Sequence, residues 1–501
     1  MASPLYLGID IGTQSSKALV VDERFEVVAR AQEAYGLIEG LPPQAAEQDP
    51  RTWTLALQTL LARLAASVDL QRVVALAVSG QQHGFVPLAA DGSVLRPAKL
   101  WCDTATIEEA RTLEARLGRP MPVGYTASKI LWLREHEPQH WARLAKIALP
   151  HDYINFVLTG RFASECGDAS GTGLFSTQER AWDLEAARAI DEAVHDMLPP
   201  LVEAGEVFAV VSKQAAATYG LREGTLVGVG GGDNMMAAIG AGAVSEGLTV
   251  ASLGTSGTLF ARSERSVVDE AGIVAPFCDA AGAWLPLLCV MNLTLVTEEV
   301  RTAFSMSHDE ITARAAALPI GGGGLRMLPF FQGERVPALP HATASLDGLR
   351  HGWLDPGSLY RAGLEACLCN LVLAGERFDA FGLSRTRLRV VGGAARNTLW
   401  QSSIAAAFAC PIDVVLEVEA AAFGAAIQAA WTHALQHGSR GSAIDTLRDL
   451  CERAVRLEVS VEPVAAEVAS FRALHAAWRD LLTQRHPDAV TTVTALTTVN
   501  G

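Results

Sequence analysis

The sequence predicts an α/β chain in which one sheet-bearing unit occurs twice. Three observations carry that expectation. Gly8-Ile9-Asp10-Ile11-Gly12-Thr13-Gln14-Ser15-Ser16 stands between two strand-like runs, Leu5 to Ile9 and Ala18 to Val21. Ser252-Leu253-Gly254-Thr255-Ser256-Gly257-Thr258 repeats its Gly-Thr core between the runs Leu248 to Leu253 and Leu259 to Ala261. Strand-like and helical segments then alternate on both sides of the midpoint, which is the pattern of mixed sheets covered by helices.

Taken in order, the first half offers strands at Leu5 to Ile9, Ala18 to Val21, Val73 to Val78 and Phe85 to Leu88, with helical spacing from Thr52 to Ala66. Helical spacing dominates from Ala127 to Leu158. The second half repeats the theme, with strands at Thr249 to Leu253, Trp284 to Val290, Arg387 to Val391 and Ile412 to Val415. Its helices are expected at Pro356 to Phe381 and Thr398 to Ala409. A small polar turn at Ser245 to Gly247 marks the boundary between halves, and Gly321 to Gly324 is expected to be a flexible linker. After His486-Pro487 the chain is rich in Thr and Val without helical period, so a frayed tail is expected.

The two Gly-Thr turns point to anion chemistry. Each is a hairpin whose glycines bring backbone N–H groups and hydroxyls to one point, an anion-binding nest, and two such turns can hold one phosphate chain. Between them lies Leu226-Val227-Gly228-Val229-Gly230-Gly231-Gly232-Asp233-Asn234, a strand and glycine turn followed by the Ala-rich run Met235 to Ala243. The glycines leave space for a ligand against the backbone and deliver one carboxylate, Asp233, to its mouth. Asp233 could instead only cap the following helix. At a helix N-terminus its pKa is expected to be low.

Composition bounds the rest. A chain of 501 residues, half of them hydrophobic, exceeds one core and favours two or three domains. The net charge of −15 argues against a general nucleic-acid or anionic-membrane surface, because both partners call for a basic face. The eight cysteines are scattered and form no Cys-x-x-Cys pair, as expected for free thiols in a reducing compartment. Met1-Ala2-Ser3-Pro4 lacks a basic segment leading into an apolar one, and no apolar stretch is long enough to span a bilayer, so a cytoplasmic protein is expected.

The order of these parts resembles the FGGY carbohydrate kinases, and among them the xylulose kinases most. The resemblance runs nearly the whole chain. Beyond the turns it rests on Gly80-Gln81-Gln82-His83-Gly84, Leu100-Trp101-Cys102-Asp103, Ser128-Lys129-Ile130-Leu131-Trp132 and Pro150-His151-Asp152-Tyr153. Further on it rests on Asp168-Ala169-Ser170-Gly171-Thr172, Gly333-Glu334-Arg335-Val336-Pro337, Val391-Gly392-Gly393-Ala394-Ala395-Arg396-Asn397 and Glu419-Ala420-Ala421-Ala422-Phe423-Gly424-Ala425-Ala426. It implies two duplicated actin-like (ribonuclease H-like) ATPase domains with a cleft between them. Residues 1–246 would bind sugar, residues 247–486 would bind nucleotide, and residues 487–501 would form the tail.

The same resemblance implies ATP-dependent phosphorylation of a ketose, with D-xylulose to D-xylulose 5-phosphate as the leading expectation and ATP and Mg²⁺ as cofactors. Asp233 and Asp10 would be the catalytic pair and the metal ligands, with Asp233 accepting the proton of the sugar hydroxyl. Thr13, Ser15 and Lys17 would face the phosphates from one side, and Gly254 and Thr255 from the other. Gly392, Gly393 and Asn397 would receive the adenosine end. Gln82, His83, Trp101, Asp103, Asp233 and Asn234 would bind the sugar. Two departures touch that pocket: Gln82 stands where xylulose kinases commonly have Met, and Ala105 where Arg is often found two residues past the aspartate. Glu334 and Arg335 are expected to form a structural ion pair near the hinge, with no catalytic role. Partners would be the sugar and ATP, with no nucleic acid and no membrane, and room is left for a homodimer. The rivals are a kinase for ribulose, L-xylulose, erythritol or gluconate, and a noncatalytic actin-like nucleotide scaffold. Asp233 and Gln82-His83 argue against the scaffold, which would need neither.

Overall fold

The computed structural model describes residues 3–494 apart from 353, 384, 439 and 440. Leu5–Ile11 is apolar along nearly its whole length, as is the Ala18 to Val21 end of Ser15–Val21, and both strands are largely buried, as in a sheet covered on both faces. Val27–Ala34 alternates half-buried with exposed residues, the pattern of a strand at a sheet edge. These three strands form an antiparallel meander. Beyond Leu5–Ile11 come Val73–Gly80 in parallel, Leu226–Gly228 in parallel and Val207–Val210 antiparallel.

The second sheet repeats that plan strand for strand. Leu287–Val290, Gly257–Ala261 and Leu248–Leu253 make the meander; Arg387–Val391 and Ile412–Val415 follow in parallel, and Leu457–Val461 closes antiparallel. Two mixed α/β sheets with one pairing scheme are the duplicated architecture that the sequence predicts.

Helices Asp233–Gly240 and Ala420–Gln436 pack tightly against each other, and small residues explain how. A methyl group on Gly240 would strike the carbonyl of Ala420, one on Gly424 would strike that of Met236, and one on Gly8 would strike that of Ala422. The backbones therefore meet without side chains between them. Ala420–Gln436 lies in sequence between strands Ile412–Val415 and Leu457–Val461 of the second sheet but joins Tyr6, Leu19 and Val21 of the first in one core. Its Trp431 is fully buried and donates Nε1–H to Ala443 O at 2.8 Å, satisfying the one polar atom of a large apolar group. Truncating such a residue to Ala costs about 3–5 kcal/mol.

Several expectations need correction. The helical stretch from Ala127 to Leu158 is broken into Thr126–His136, Pro138–Trp141 and Pro150–Thr159, with strand Lys146–Ala148 between, paired to Val86–Leu88. Pro138 and Pro150 each open a helix, where a missing N–H is harmless, and so they divide one stretch into pieces. The strand expected from Trp284 is regular only over Leu287–Val290, because Pro286 cannot donate to a ladder. Gly321 is tied down by its N–H to the Glu365 carboxylate at 3.0 Å and leads into a 3₁₀ turn, Gly322–Gly324, in place of a free linker. Ala489–Thr494 is a helix with Ala489 and Val493 buried, not a frayed end, and residues 495–501 lie outside the described residues. Among the described residues, no helix is long and apolar enough to cross a membrane.

Candidate active site

The first Gly-Thr turn is locked by a dense set of bonds. Gly12 N–H donates to Ser15 O at 3.0 Å, and the Tyr35 hydroxyl donates to Gly12 O at 2.8 Å. Thr13 O accepts from Gln48 Nε2 at 2.6 Å. The Thr13 hydroxyl donates to Gln81 Oε1 at 2.9 Å and accepts from the exposed Trp101 indole at 3.1 Å, so Trp101, expected to bind sugar, touches the first Gly-Thr turn. Ser15 lies within the hairpin and accepts from Gln32 Nε2. Lys17 is paired with Glu419 at 2.5 Å, the residue immediately before helix Ala420–Gln436.

The second turn is held by backbone groups. Gly254 N–H donates to Ser256 O at 3.1 Å, Gly254 O accepts from the Thr294 amide and hydroxyl, and Thr255 O accepts from Leu293 N–H. Gly392 sits beside it at φ 94°, where a Cβ would lie 2.6 Å from Leu253 O, so this close approach of two strands requires glycine. Gly393 next to it is exposed and faces open space. Asn397 is spent locally: its Oδ1 accepts from Leu399 and Trp400 N–H as a helix cap, and its Nδ2 donates to the Thr312 hydroxyl.

Asp10 lies in the first sheet just before the first Gly-Thr turn and accepts from the Ser79 hydroxyl at 2.7 Å on the neighbouring parallel strand. Burial pushes its carboxyl up to about 6, opposed by the Ser79 bond and by Lys17. Asp233 opens the Asp233–Gly240 helix, preceded by Gly231–Gly232 paired beside Val73–Gly80. Its Oδ1 accepts from the Asn234 amide at 2.7 Å and from Asn234 Nδ2 at 2.9 Å; among the described residues nothing donates to Oδ2. Gly232, not Asp233, is the cap. The expected low pKa is overturned. Burial, then the charges of Asp10 and Asp168, push Asp233 up to about 7, outweighing the helix N-terminus.

Of the residues expected to bind sugar, Asn234 and Gln82 meet beside Asp233. Asn234 Nδ2 donates to Gln82 Oε1 at 2.6 Å, and Gln82 Nε2 lies against Met235 Sδ. His83 adopts φ 60°, in the left-handed region, and its ring presses on Gly171, where any side chain would overlap it. Tyr125 and Phe277 pack around that ring at centroid distances of 5.4 and 5.3 Å. Burial lowers the His83 pKa, against the nearby Asp168. Asp103 is not brought to the open cleft: it is fully buried and accepts from Ala46 and Ala105 N–H and from Lys99 Nζ.

Behind His83 lies a buried charge network that the sequence motifs contained but sequence reasoning did not connect. Asp168 accepts from His83 N–H at 3.3 Å and pairs with His151 Nδ1 at 2.9 Å, while His151 Nε2 lies 3.1 Å from Asp152. Burial alone would lower the His151 pKa, but Asp152, Asp168 and Glu165 raise it to about 9. Lys129 plays a structural part: its buried ammonium donates to the carbonyls of Val123, Gly124 and Tyr125 and so fixes Tyr125 over His83. The expected Glu334–Arg335 ion pair does not form among the described residues, because the Glu334 carboxylate is filled by amides.

Asp10 and Asp233 are both partly desolvated, and the charge of Asp10 raises the pKa of Asp233; paired hard carboxylate oxygens of this kind suit a hard divalent cation.

Residues 5–240 match the N-terminal domain model of the FGGY family of carbohydrate kinases, and residues 249–433 match its C-terminal domain model. A xylulose kinase of Haemophilus influenzae is 38% identical over 448 residues, spanning 86% of this chain and 91% of the relative. One from Streptomyces coelicolor is 37% identical over 441 residues, spanning 85% and 88%. The crystal structure of a xyloylose kinase from Brucella ovis superposes with a TM-score of 0.86 at 28% identity, covering 96% of this chain and 99% of that one.

Proposed function

The chain belongs to the FGGY family of carbohydrate kinases, and from that premise we propose that it transfers the γ-phosphoryl group of ATP to D-xylulose, forming D-xylulose 5-phosphate. The observation that carries the reading is the position of Asp233. Its carboxylate joins the sugar-side pair Asn234 and Gln82 on one side and feels the charge of Asp10, beside the first phosphate turn, on the other.

Phosphoryl transfer asks the protein mainly for positioning and charge stabilisation. Thr13 and Ser15 on one sheet and Gly254 and Thr255 on the other would hold the triphosphate between them, with the adenosine end over Gly392 and Gly393. Asp233, poised near 7, accepts the proton of the attacking hydroxyl close to neutral pH, where a general base works best. Asn234 and Gln82 orient the sugar, and His83, held by Asp168 and Gly171, closes its wall. Asp10 and Asp233 fit Mg²⁺, which would neutralise phosphate charge there. We place the boundary between the sugar-side and nucleotide-side domains at Ser245 to Gly247. All eight cysteines are unpaired, in keeping with a reducing, cytoplasmic setting.

The test is ADP release coupled to a reporter across a panel of ketoses and polyols, with Asp233→Ala alongside. D-xylulose should give the highest kcat/KM, and Asp233→Ala should lose about 10²- to 10⁴-fold in kcat while retaining ATP affinity. Stronger turnover of another sugar would displace xylulose. An Asp233→Ala kcat within threefold of wild type would remove the base.

A further inference from the structure

The second phosphate turn is coupled to a loop that nothing above uses. Thr255 O and Gly254 O accept from Leu293 and Thr294 N–H. Immediately upstream, Met291 N–H and the Asn292 side chain donate to the Glu334 carboxylate at 2.7 and 3.0 Å. Asn370 Nδ2 adds a bond at 3.2 Å, and Arg335 N–H one at 2.7 Å. Glu334 and Leu339 exchange backbone bonds of 2.9 Å in both directions, closing a tight loop. Glu334 is 1% exposed, so a buried carboxylate satisfied entirely by neutral amides anchors this loop to the segment that holds the phosphate turn.

The side chain that this anchor presents is Arg335. It is exposed, and among the described residues no carboxylate pairs with it, whereas Arg262, Arg361 and Arg377 are all paired. Its positive charge is felt at His83 and Tyr125 on the sugar side of the cleft and at Cys289 beside the second turn. A guanidinium carries five donors in a rigid fork that matches phosphoryl oxygens. A buried, amide-filled anchor for one unpaired surface cation serves packing poorly and serves anion binding well.

Resting on the kinase reading above, we propose that Arg335 is a catalytic residue whose guanidinium binds the γ-phosphoryl oxygens of ATP and stabilises the charge on them during transfer. In that step the sugar hydroxyl oxygen bonds to the γ-phosphorus, and the bond from that phosphorus to the β–γ bridging oxygen breaks with its electron pair leaving on ADP. The hydroxyl proton goes to Asp233. Arg335 neither gains nor loses a proton.

The experiment compares the full-length wild type with Arg335→Gln and Arg335→Lys in two readouts. In steady state with D-xylulose, Arg335→Gln should lower kcat about 10²- to 10³-fold with the sugar KM changed less than threefold, and Arg335→Lys should recover about tenfold of that loss. By calorimetry, wild type should bind ADP with aluminium fluoride more tightly than ADP alone, and Arg335→Gln should erase that difference while still binding ADP. Melting temperatures within about 2 °C of wild type are expected for an exposed side chain. A kcat within threefold of wild type, a loss confined to the sugar KM, or an undiminished preference for the fluoroaluminate complex would overturn the assignment. Failure of wild type to phosphorylate any sugar would count against the function reading alone, since the calorimetric arm needs no sugar and still decides Arg335.

Discussion

The two Gly-Thr turns begin from equivalent places in equivalent sheets and end with different chemistry. In the first, four residues separate the last paired strand positions, Ile11 and Ser16; in the second, three residues separate Leu253 and Gly257. Two residues before the glycine the first strand carries Asp10, where the second carries Ser252. Opposite those positions stand Lys17 and Thr258. The first Thr is bonded through its hydroxyl to Gln81 and Trp101, whereas the second is exposed and held by its carbonyl. The backbone was kept twice, but formal charge was retained at only one copy. A triphosphate gripped by two turns needs a cation site on one side and neutral donors on the other, because a second carboxylate would repel it.

The largest effect that would break this comparison is loss of the charged member. Asp10→Asn should lower turnover at least about 10²-fold while sugar binding, measured by calorimetry without nucleotide, stays within twofold. Ser252→Ala, its counterpart, should change kcat less than threefold. Equal losses at both positions would show that the turns do the same work.

The next effect is on pH. Asp233 must be ionised to accept a proton, and its carboxyl is raised to about 7 by burial and then by Asp10 and Asp168. Log kcat/KM for wild type should therefore fall with unit slope below about pH 7. Residual activity in Asp10→Asn should show that limb displaced to lower pH, since one of the negative charges raising it is gone. The stability sign runs the other way. A raised carboxylate pKa means that the folded state holds a proton more tightly than the unfolded chain, so Asp233 destabilises the fold as pH rises from about 4 through 7. Asp233→Asn should accordingly melt a few degrees higher than wild type at pH 8 and show no gain at pH 4. An unshifted limb and an unchanged melting temperature would mean that Asp233 ionises as an ordinary surface carboxylate.

A smaller effect separates the two threonines. Thr13→Val strips partners from buried Gln81 and from Trp101 and should cost about 1–2 kcal/mol of stability, read as a lower denaturation midpoint. Thr255→Val strands no protein group and should leave the midpoint unchanged while weakening ATP. If Thr255→Val proved the more destabilising, the contrast between a prebuilt turn and a ligand-completed one would be wrong.

How much of this was legible beforehand follows from how local each determinant is. Strand ends at Leu253, Val391 and Ile412 were readable to the residue, because each adjoins a glycine or proline that ends the run. The turns and Asp233 were visible as motifs. What the sequence concealed was pairwise. That Asn397 would be consumed as a cap, that Asp103 would be swallowed by Lys99 and two amides, and that Glu334 would ignore Arg335 all depend on partners brought together by folding. The pKa of Asp233 failed for the same reason: the helix terminus is local and was seen, whereas Asp10 and Asp168 are distant in sequence and were not.

The smallest effect concerns Lys17, the other charge found at one turn only. It spans from the first sheet to Glu419 at 2.5 Å with both side chains about a quarter exposed, and Arg30–Glu417 and Arg456–Glu26 make parallel links between the same regions. Exposed pairs of this kind contribute about 0–1 kcal/mol, so Glu419 can compete with a phosphate for Lys17 without preventing its transfer. If Lys17 reaches the triphosphate, it must leave Glu419 to do so, and ATP binding carries the cost of that separation. Glu419→Gln should then tighten ATP by about two- to fivefold at low ionic strength, with the gain vanishing near 0.5 M salt as screening removes the competition. Lys17→Met should weaken ATP and make the Glu419 substitution silent in the double variant. A tightening that persists in the absence of Lys17 would place the effect of Glu419 on the phosphate itself, as one more repelling carboxylate at the charged turn.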